Sequence, residues 1–242
     1  MTPRGRRVVV LAAALAGAML TARLGLWQLD RAAQKIALQQ SIAARAGLPP
    51  LPQAALARRA AEVPAQTNRR IRLQGHWLAA YTVYLDNRPM DGRVGFYVVT
   101  PLALDDGSAV LVERGWVARD PEHRTRIALP PPPPGPVAVD GRITPYPGRL
   151  YSLGADAPGP IRQNLDIAAY ARETGLALRP LALVEDDGPS PPADGLRRDW
   201  PAPAADVQMH YGYAFQWFAM SALITGLYVW FQLLRPRRRP GR

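Results

Sequence analysis

The chain lacks cysteine and has few other residues that bind metals or catalyse reactions. Cysteine is absent from all 242 residues, which excludes disulfides, thiolate-bound zinc or copper, iron–sulfur clusters and cysteine nucleophiles. The three histidines, His76, His123 and His210, show no metal-ligand spacing. No serine lies in a Gly-x-Ser-x-Gly elbow, and no glycine-rich stretch carries a phosphate-loop lysine. We therefore expect a protein that is not an enzyme.

Acidic residues are scarce, and the resulting positive charge is unevenly placed. The 30 basic and 19 acidic residues give a formal net charge of +11. Most of this excess flanks two apolar segments near the ends of the chain, and every acidic residue lies between those segments. A nucleic-acid-binding protein would carry its excess on a folded face. The distribution therefore predicts no nucleic-acid partner.

The two apolar segments have the length and flanks of transmembrane helices. Residues 8–27 and 211–234 are almost uncharged, with Arg23 near one end of the first segment. Each is long enough to cross a bilayer. Basic residues lie in both outer tails, 1–7 and 235–242, so the positive-inside rule predicts cytoplasmic tails and a periplasmic region at residues 28–210. A cleaved signal peptide remains the alternative for the first segment.

The central region has the pattern of a mostly β domain with one added helix. Strand-like runs occupy residues 70–73, 81–85, 96–102, 109–116, 137–143 and 181–185, and Asp105-Asp106-Gly107 predicts a hairpin. A helix continues from the membrane to about Arg45, and residues 165–174 predict a short helix capped by Gly175. Residues 186–206 resemble a linker back to the membrane. The predicted fold is a small barrel or sandwich.

Aromatic residues and one histidine cluster at the start of the second apolar segment. His210, Tyr213, Ala214 and Trp217 share one face of a helix by their spacing. An imidazole at a membrane boundary can ligate haem iron, Ala214 would leave room for a flat macrocycle, and Trp217 can pack on its edge. An ordinary interfacial aromatic belt explains the same residues. By spacing alone, the belt is the better explanation.

The first apolar segment ends in a matching group. Trp27, Arg31 and Lys35 follow one another at intervals of four residues. The two cations would lie just above the headgroups, where they can pair with haem propionates or lipid phosphates. A solvated helix face with lipid anchors is the simpler interpretation.

Several motifs, in order along the chain, resemble the Surfeit locus protein 1 family of cytochrome c oxidase assembly factors. They are LGLWQLDR at residues 24–31, GHW at 75–77, LDNR at 85–88, GFYVVTPL at 95–102, VLVERGWV at 110–117 and HYGYAFQWF at 210–218. The sequence departs from the family pattern at Arg23, at Glu113 and in the proline-rich stretch after Leu129. The soluble motifs can fix turns and fill a small core or contact a partner, and the structural role is favoured.

The resemblance implies a role in building the haem a centre in subunit I of an aa3-type oxidase. It implies haem a as a transient cofactor held through the histidine that His210 matches. The spacing of the two membrane-end groups adds Tyr213, Trp217, Trp27 and Arg31 as candidate haem-binding residues. The resemblance also implies subunit I, haem a synthase and membrane lipids as partners, and an uncleaved first helix. The short tail before that helix leads us to expect a bacterial member in the cell membrane. A scaffold for oxidase subunits that never binds haem is the alternative.

Overall fold

The computed structural model describes two compact units. It covers residues 2–123, 125–127, 129, 131–151, 159–187, 194–200 and 207–235, with Pro3 and Leu233 described by backbone only. One unit comprises Met1–Ser41 and Ala202–Arg242, and is named here the helix hairpin. The other comprises Ile42–Pro201 and is named the β-domain. Residues 236–242 of the predicted basic tail lie outside the described residues.

Two long helices account for both apolar segments. The helices are α1 (Pro3–Ala46), α2 (Val63–Gln66), α3 (Ile167–Thr174) and α4 (Val207–Val229), and a π-helical turn, Trp230–Leu234, follows α4. Both α1 and α4 are long and apolar enough to cross a membrane. The expected continuation of the first helix to about Arg45 is confirmed, because α1 ends at Ala46.

The described residues of the β-domain form seven strands. They are β1 (Arg70–Trp77), β2 (Val83–Met90), β3 (Arg93–Ala103), β4 (Ala109–Ala118), β5 (Pro136–Thr144), β6 (Ile161–Arg162) and β7 (Leu178–Glu185). Short 3-10 turns occupy Gln53–Ala55, Ala60–Glu62 and Ala79–Tyr81. Six of these strands overlap the runs predicted from the sequence. The two-residue β6 was missed, since so short a strand has no periodicity to detect.

Five of the strands close into a barrel. The strand order is β1-β5-β7-β4-β3-β2-β6, and β1 also pairs with β3 at His76–Ala103 and Trp77–Leu102. This second pairing closes the ring β1-β5-β7-β4-β3, so β1 no longer has an open edge. Strands β2 and β6 extend the sheet beyond β3. Of the two predicted architectures, the barrel is confirmed.

Alternating side chains divide the β-domain core into two layers. One layer is an apolar cluster that includes Ile71, Leu73, Val112 and Leu183. The other lies on the opposite face of the strands, where Leu85, Leu111, Trp116 and Tyr170 pack together. Successive strand residues point to opposite faces, so neighbours such as Leu111 and Val112 enter different layers. Helix α3 contributes Tyr170 to the second layer.

Residues at the turns explain where the elements end. Asp91 and Gly92 link β2 to β3, and both have positive φ, 47° and 72°, as a two-residue hairpin turn requires. Asp166 caps α3 by accepting a hydrogen bond from the Ala169 backbone N–H at 2.7 Å. Gly175 ends the same helix with a φ of 72°, which confirms the predicted C-cap.

Candidate functional site

The two helices of the hairpin pack antiparallel through small residues. The Ser221 hydroxyl donates to the Ala18 carbonyl at 2.9 Å. Nearer the other end, a Cβ added at Gly25 would lie 2.8 Å from the Phe218 ring. Small residues let helix backbones approach closely in apolar surroundings. These two contacts define which residues of α1 face which residues of α4.

A polar contact links the helices at the end where α4 begins. His210 Nδ1 lies 2.7 Å from Gln28 Oε1, across a separation of 182 residues in sequence. Gln28 is only 9% exposed, and His210 is partly buried. Among the described residues, no hydrogen bond reaches the other ring nitrogen of His210. The contact therefore leaves Nε2 available as a ligand atom.

Four other predicted site residues lie within about two helical turns of this contact along α1 and α4. Trp27 and Tyr213 are 47% and 49% exposed, and Trp217 is partly buried. The Arg31 guanidinium lies 5.6 Å from the centre of the Trp27 ring, in a cation–π contact. Arg31 also donates to Gln34 Oε1 at 3.1 Å.

The helical period shows that these side chains belong to one side of the hairpin. The buried residues Gln28 and Ala214 mark where α1 and α4 face each other. Each residue turns by about 100° around a helix axis. For an antiparallel pair, this rotation places Trp27 and Arg31 of α1 on the same side as Tyr213 and Trp217 of α4. That side presents aromatic rings and one cation next to His210.

One expectation about this site is wrong. Ala214 was expected to leave room for a flat macrocycle, but it is only 2% exposed. It lies one turn from His210 and from Phe218, and both of these contact α1. The small side chain of Ala214 therefore serves helix packing, and any planar ligand would have to lie to the side of it.

The remaining histidines belong to the other compact unit. His76, on β1, and His123 are both exposed and belong to the β-domain. Within the described ranges, no group of three or more His, Asp or Glu side chains is placed to hold a metal ion. His210 differs from these two histidines because it lies on a membrane-length helix and contacts Gln28 of the other helix.

The LDNR motif has a structural role in the β-domain. A bulge lies between Leu85 and Arg88, and Asn87 adopts a φ of 62° there. Asp86 pairs with Arg119. Arg88 is 2% exposed and donates to the carbonyls of Gly148 at 2.6 Å and Gln163 at 2.7 Å. These contacts support the structural interpretation of the motif.

The RGW motif holds a segment that the sequence suggested was a free linker. Residues 194–200 dock on β4, where Trp116 and Arg197 form a backbone bridge. Gly115 has a φ of 155°, and a Cβ there would lie 2.7 Å from Leu196 Cβ. Trp116 is 1% exposed, and its indole N–H donates to the Arg88 carbonyl at 2.8 Å.

Buried ion pairs fix the same segment. Asp194 lies 3.1 Å from Arg114 and 2.7 Å from Arg198, and Arg198 lies 3.1 Å from Glu185. The side chains of all four are at most 9% exposed. The expectation of a linker at residues 186–206 is therefore wrong for 194–200, because charged side chains there find buried partners. Residues 188–193 and 201–206 lie outside the described residues.

Glu113, which departs from the family pattern, is buried in the β-domain. It is 2% exposed and accepts a hydrogen bond from the Gly148 backbone N–H at 2.8 Å. Burial away from water raises the pKa of this carboxyl to about 7, while the Gly148 hydrogen bond and the charges of Arg88 and Arg142 lower it by less. Desolvation by burial raises the pKa of the Tyr97 phenol, and the charge of Glu113 raises it further.

Two polar side chains that line a cleft beside α3 make hydrogen bonds to the backbone. The volume of the cleft is about 990 Å³, and Asn164 and Asp166 are among its lining residues. Asn164 Oδ1 accepts from the Leu150 backbone N–H at 2.7 Å, and Asp166 caps α3. Both side chains therefore make hydrogen bonds within the β-domain that stabilise the loop at Leu150 and the start of α3.

Sequence reasoning missed Gln28 as a site residue. Its place between Trp27 and Leu29 gave no sign of its contact, because the partner lies on the other helix. The spacing of Gln28 from Thr21 could have indicated its position. The two polar residues are seven apart, so they share one face of α1, and both are buried against α4.

Comparison with known proteins gives consistent matches. The SURF1 family model matches residues 15–222. A SURF1-like protein of Rickettsia bellii is 26% identical over 213 residues, which make up 85% of this chain and 83% of that protein. A SURF1-like protein of Dictyostelium discoideum is 41% identical over 59 residues, which are 24% of this chain and 22% of that protein.

A yeast protein is similar over a shorter stretch. The cytochrome oxidase assembly protein SHY1 of Saccharomyces cerevisiae is 30% identical over 113 residues, which are 44% of this chain and 29% of that protein. The chain thus matches most of the Rickettsia protein but less than a third of the Dictyostelium and yeast proteins.

Proposed function

The chain belongs to the SURF1 family, and from that premise we propose that it is a non-enzymatic assembly factor for cytochrome c oxidase. The observation that carries the proposal is the family match over residues 15–222, together with similarity to a yeast protein named for cytochrome oxidase assembly. The near full-length similarity to a Rickettsia protein favours a bacterial member.

The proposed location is the bacterial cell membrane. Both α1 and α4 are long and apolar enough to span it, and basic residues lie in the first turns of α1 and in the chain after α4. The positive-inside rule then places both termini in the cytoplasm and the β-domain in the periplasm. Residues of α1 such as Ala18 and Gly25 pack on α4, which favours a retained helix over a cleaved signal peptide.

The proposed task is to hold haem a transiently and assist its insertion into subunit I of an aa3-type oxidase. Haem supplies an iron that accepts an imidazole ligand and propionates that pair with cations. The side chains fit such a group: His210 has a ring nitrogen without a hydrogen bond among the described residues, and Arg31 is an exposed cation near Trp27. Tyr213 and Trp217 add aromatic surface.

A site with one histidine ligand suits transient holding. Histidine paired with a second strong ligand would hold iron tightly, whereas a single imidazole permits release. Haem a is membrane-soluble, so a site on two membrane helices can receive it laterally. Subunit I would receive the haem, haem a synthase would supply it, and anionic lipid phosphates would pair with Arg31 when haem is absent.

Deletion of the gene tests the assembly role. We expect lower aa3-type oxidase activity and a weaker haem a absorbance band in membranes of the deletion strain. Quinol oxidases that use other haems should keep their activity, and some aa3 activity should remain, because a chaperone speeds a step that also occurs slowly unaided. Normal aa3 activity and spectrum, in cells where this oxidase predominates, would contradict the proposal.

An absorbance spectrum separates haem holding from a pure scaffold role. The protein purified from cells that make haem a should carry a haem spectrum, and His210→Ala should lose it while keeping its abundance in the membrane. His76→Ala and His123→Ala are matched controls, since both histidines are exposed in the β-domain. A haem-free wild-type protein that still supports oxidase assembly would favour a scaffold for oxidase subunits.

A further inference from the structure

We propose that Gln28 is a positioning residue that sets the tautomer and orientation of His210, so that Nε2 is the atom offered to iron. This inference rests on the proposed haem-holding function. It is carried by the contact between His210 Nδ1 and Gln28 Oε1 at 2.7 Å. Neither residue has a second hydrogen-bond partner among the described side chains.

The chemistry of the contact decides which nitrogen carries the proton. An amide oxygen can only accept a hydrogen bond, so Nδ1 of His210 must donate. A neutral imidazole with the proton on Nδ1 has its lone pair on Nε2. Histidines that bind metals through one ring nitrogen almost always donate the other N–H to a fixed acceptor, which orients the ring. Gln28 supplies that acceptor from the opposite helix.

The surroundings of Gln28 make the contact persistent. Gln28 is 9% exposed, and Ala32, one turn further along α1, is fully buried. A buried amide oxygen without a hydrogen-bond donor raises the free energy of the folded protein, so rotation of the His210 ring away from it is unfavourable. The hydrogen bond therefore couples ring orientation to the packing of α1 on α4.

A hydrogen bond that only stabilises the packing of α1 on α4 would explain the same distance. The test therefore needs readouts that change only if Gln28 sets the tautomer and orientation of His210. The first readout is ¹⁵N NMR of the haem-free full chain in detergent, with labelled histidine. The wild-type protein should show His210 with a protonated Nδ1 and an unprotonated Nε2. Gln28→Leu, which has no acceptor, should give a mixture of tautomers.

The second readout is haem affinity and reduction potential in the purified protein. Gln28→Leu should weaken haem binding about 10-fold or more, as loss of an outer-shell partner of a metal ligand typically does. Gln28→Glu keeps an acceptor oxygen, so it should retain haem and the same tautomer. Its added negative charge should shift the reduction potential to more negative values. Gln216→Leu is the control, because Gln216 is exposed on α4.

The outcomes separate this inference from the function on which it rests. If the wild-type protein binds no haem, the haem-holding function fails, and the NMR experiment alone decides whether Gln28 sets the tautomer. If the wild-type protein binds haem and Gln28→Leu has the same His210 tautomer, haem affinity and reduction potential, the positioning role is overturned. Loss of haem in Gln28→Leu with retention in Gln28→Glu, together with the expected tautomers, supports it.

Discussion

Glu113 shows at the scale of a single residue how burial controls a charge. It lies on β4 in the second core layer, with 2% of its surface exposed. Desolvation raises its pKa from a usual value near 4.5 to about 7, and one hydrogen bond from Gly148 offsets only part of that effect. An ionised carboxylate at this position therefore makes the folded β-domain less stable than a neutral side chain would.

The expected consequence is a stability that falls as pH rises. The pKa of Glu113 is higher in the folded state than in the unfolded state. The protonated carboxyl therefore contributes its full stabilisation to the folded state below pH 4.5, and this stabilisation is lost as the pH rises through about 7. Glu113→Gln keeps an acceptor for the Gly148 N–H without a charge. At pH 8 it should be more stable than the wild type, by roughly 3 kcal/mol at most.

Denaturant unfolding of the full chain in detergent, followed by tryptophan fluorescence from pH 4.5 to 8, measures this difference. The Glu113→Gln profile should be flatter than the wild-type profile, and the two should converge at the acidic end. Glu122→Gln is the control, because Glu122 is exposed. Identical slopes for Glu113→Gln and the wild type would show that Glu113 does not titrate in this range.

At the scale of elements, the packing of α1 on α4 depends on Gly25. A Cβ at this position would meet the Phe218 ring at 2.8 Å, so Gly25→Ala must displace that ring, and with it part of the contact between the helices, at a cost of about 1–3 kcal/mol. Gly212→Ala is a matched control on α4, since nothing lies within 4 Å of a Cβ there. Alanine has the higher helix propensity at both positions, so only the steric clash differs.

Cross-linking can report this packing directly because the chain contains no cysteine. The pair Ala18→Cys and Ser221→Cys places thiols where the Ser221 hydroxyl contacts the Ala18 carbonyl at 2.9 Å. A short bifunctional reagent should link the pair efficiently in the parent and in Gly212→Ala, and poorly in Gly25→Ala. Equal yields in all three would mean that Gly25 is not a close-contact point.

The docked segment 194–200 offers a second test at this scale. Asp194 pairs with two buried arginines, Arg114 and Arg198, and removing one partner of a buried pair costs roughly 3–5 kcal/mol. Asp194→Ala should therefore lower the melting temperature and expose the segment to limited proteolysis. Asp199→Ala, which removes a carboxylate that is 66% exposed, should change neither result. Protease resistance equal to wild type in Asp194→Ala would contradict the docking.

The elements with local signals were predictable, and the contacts between distant residues were not. Six strands, α3 and its Gly175 cap follow from periodicity and capping residues. Strand β6 and the docking of residues 194–200 depend on partners far away in sequence, such as Arg114 for Asp194, 80 residues apart. The same limit hid the Gln28–His210 contact, whereas His210 itself was recognisable from its helix position.

At the scale of the whole molecule, membrane topology is the first test. Reporter fusions after Gln53 and after Gly188 should be active only in the periplasm, and a fusion after Arg242 only in the cytoplasm, as the basic flanks predict. Sequencing of the mature N-terminus should find residues before Arg23. A mature chain that begins near Arg23 would instead identify residues 1–22 as a cleaved signal peptide.

The haem a content of subunit I, isolated through an affinity tag from the deletion strain, tests the assembly function most directly. The strain carries an empty vector, the wild-type gene or the His210→Ala gene, and total haem a in the membranes is measured in parallel. We expect haem-depleted subunit I with haem a synthesis unchanged in the empty-vector strain, full restoration by the wild-type gene, and poor restoration by His210→Ala. Subunit I with its full haem a content in the empty-vector strain would contradict a role in haem a insertion.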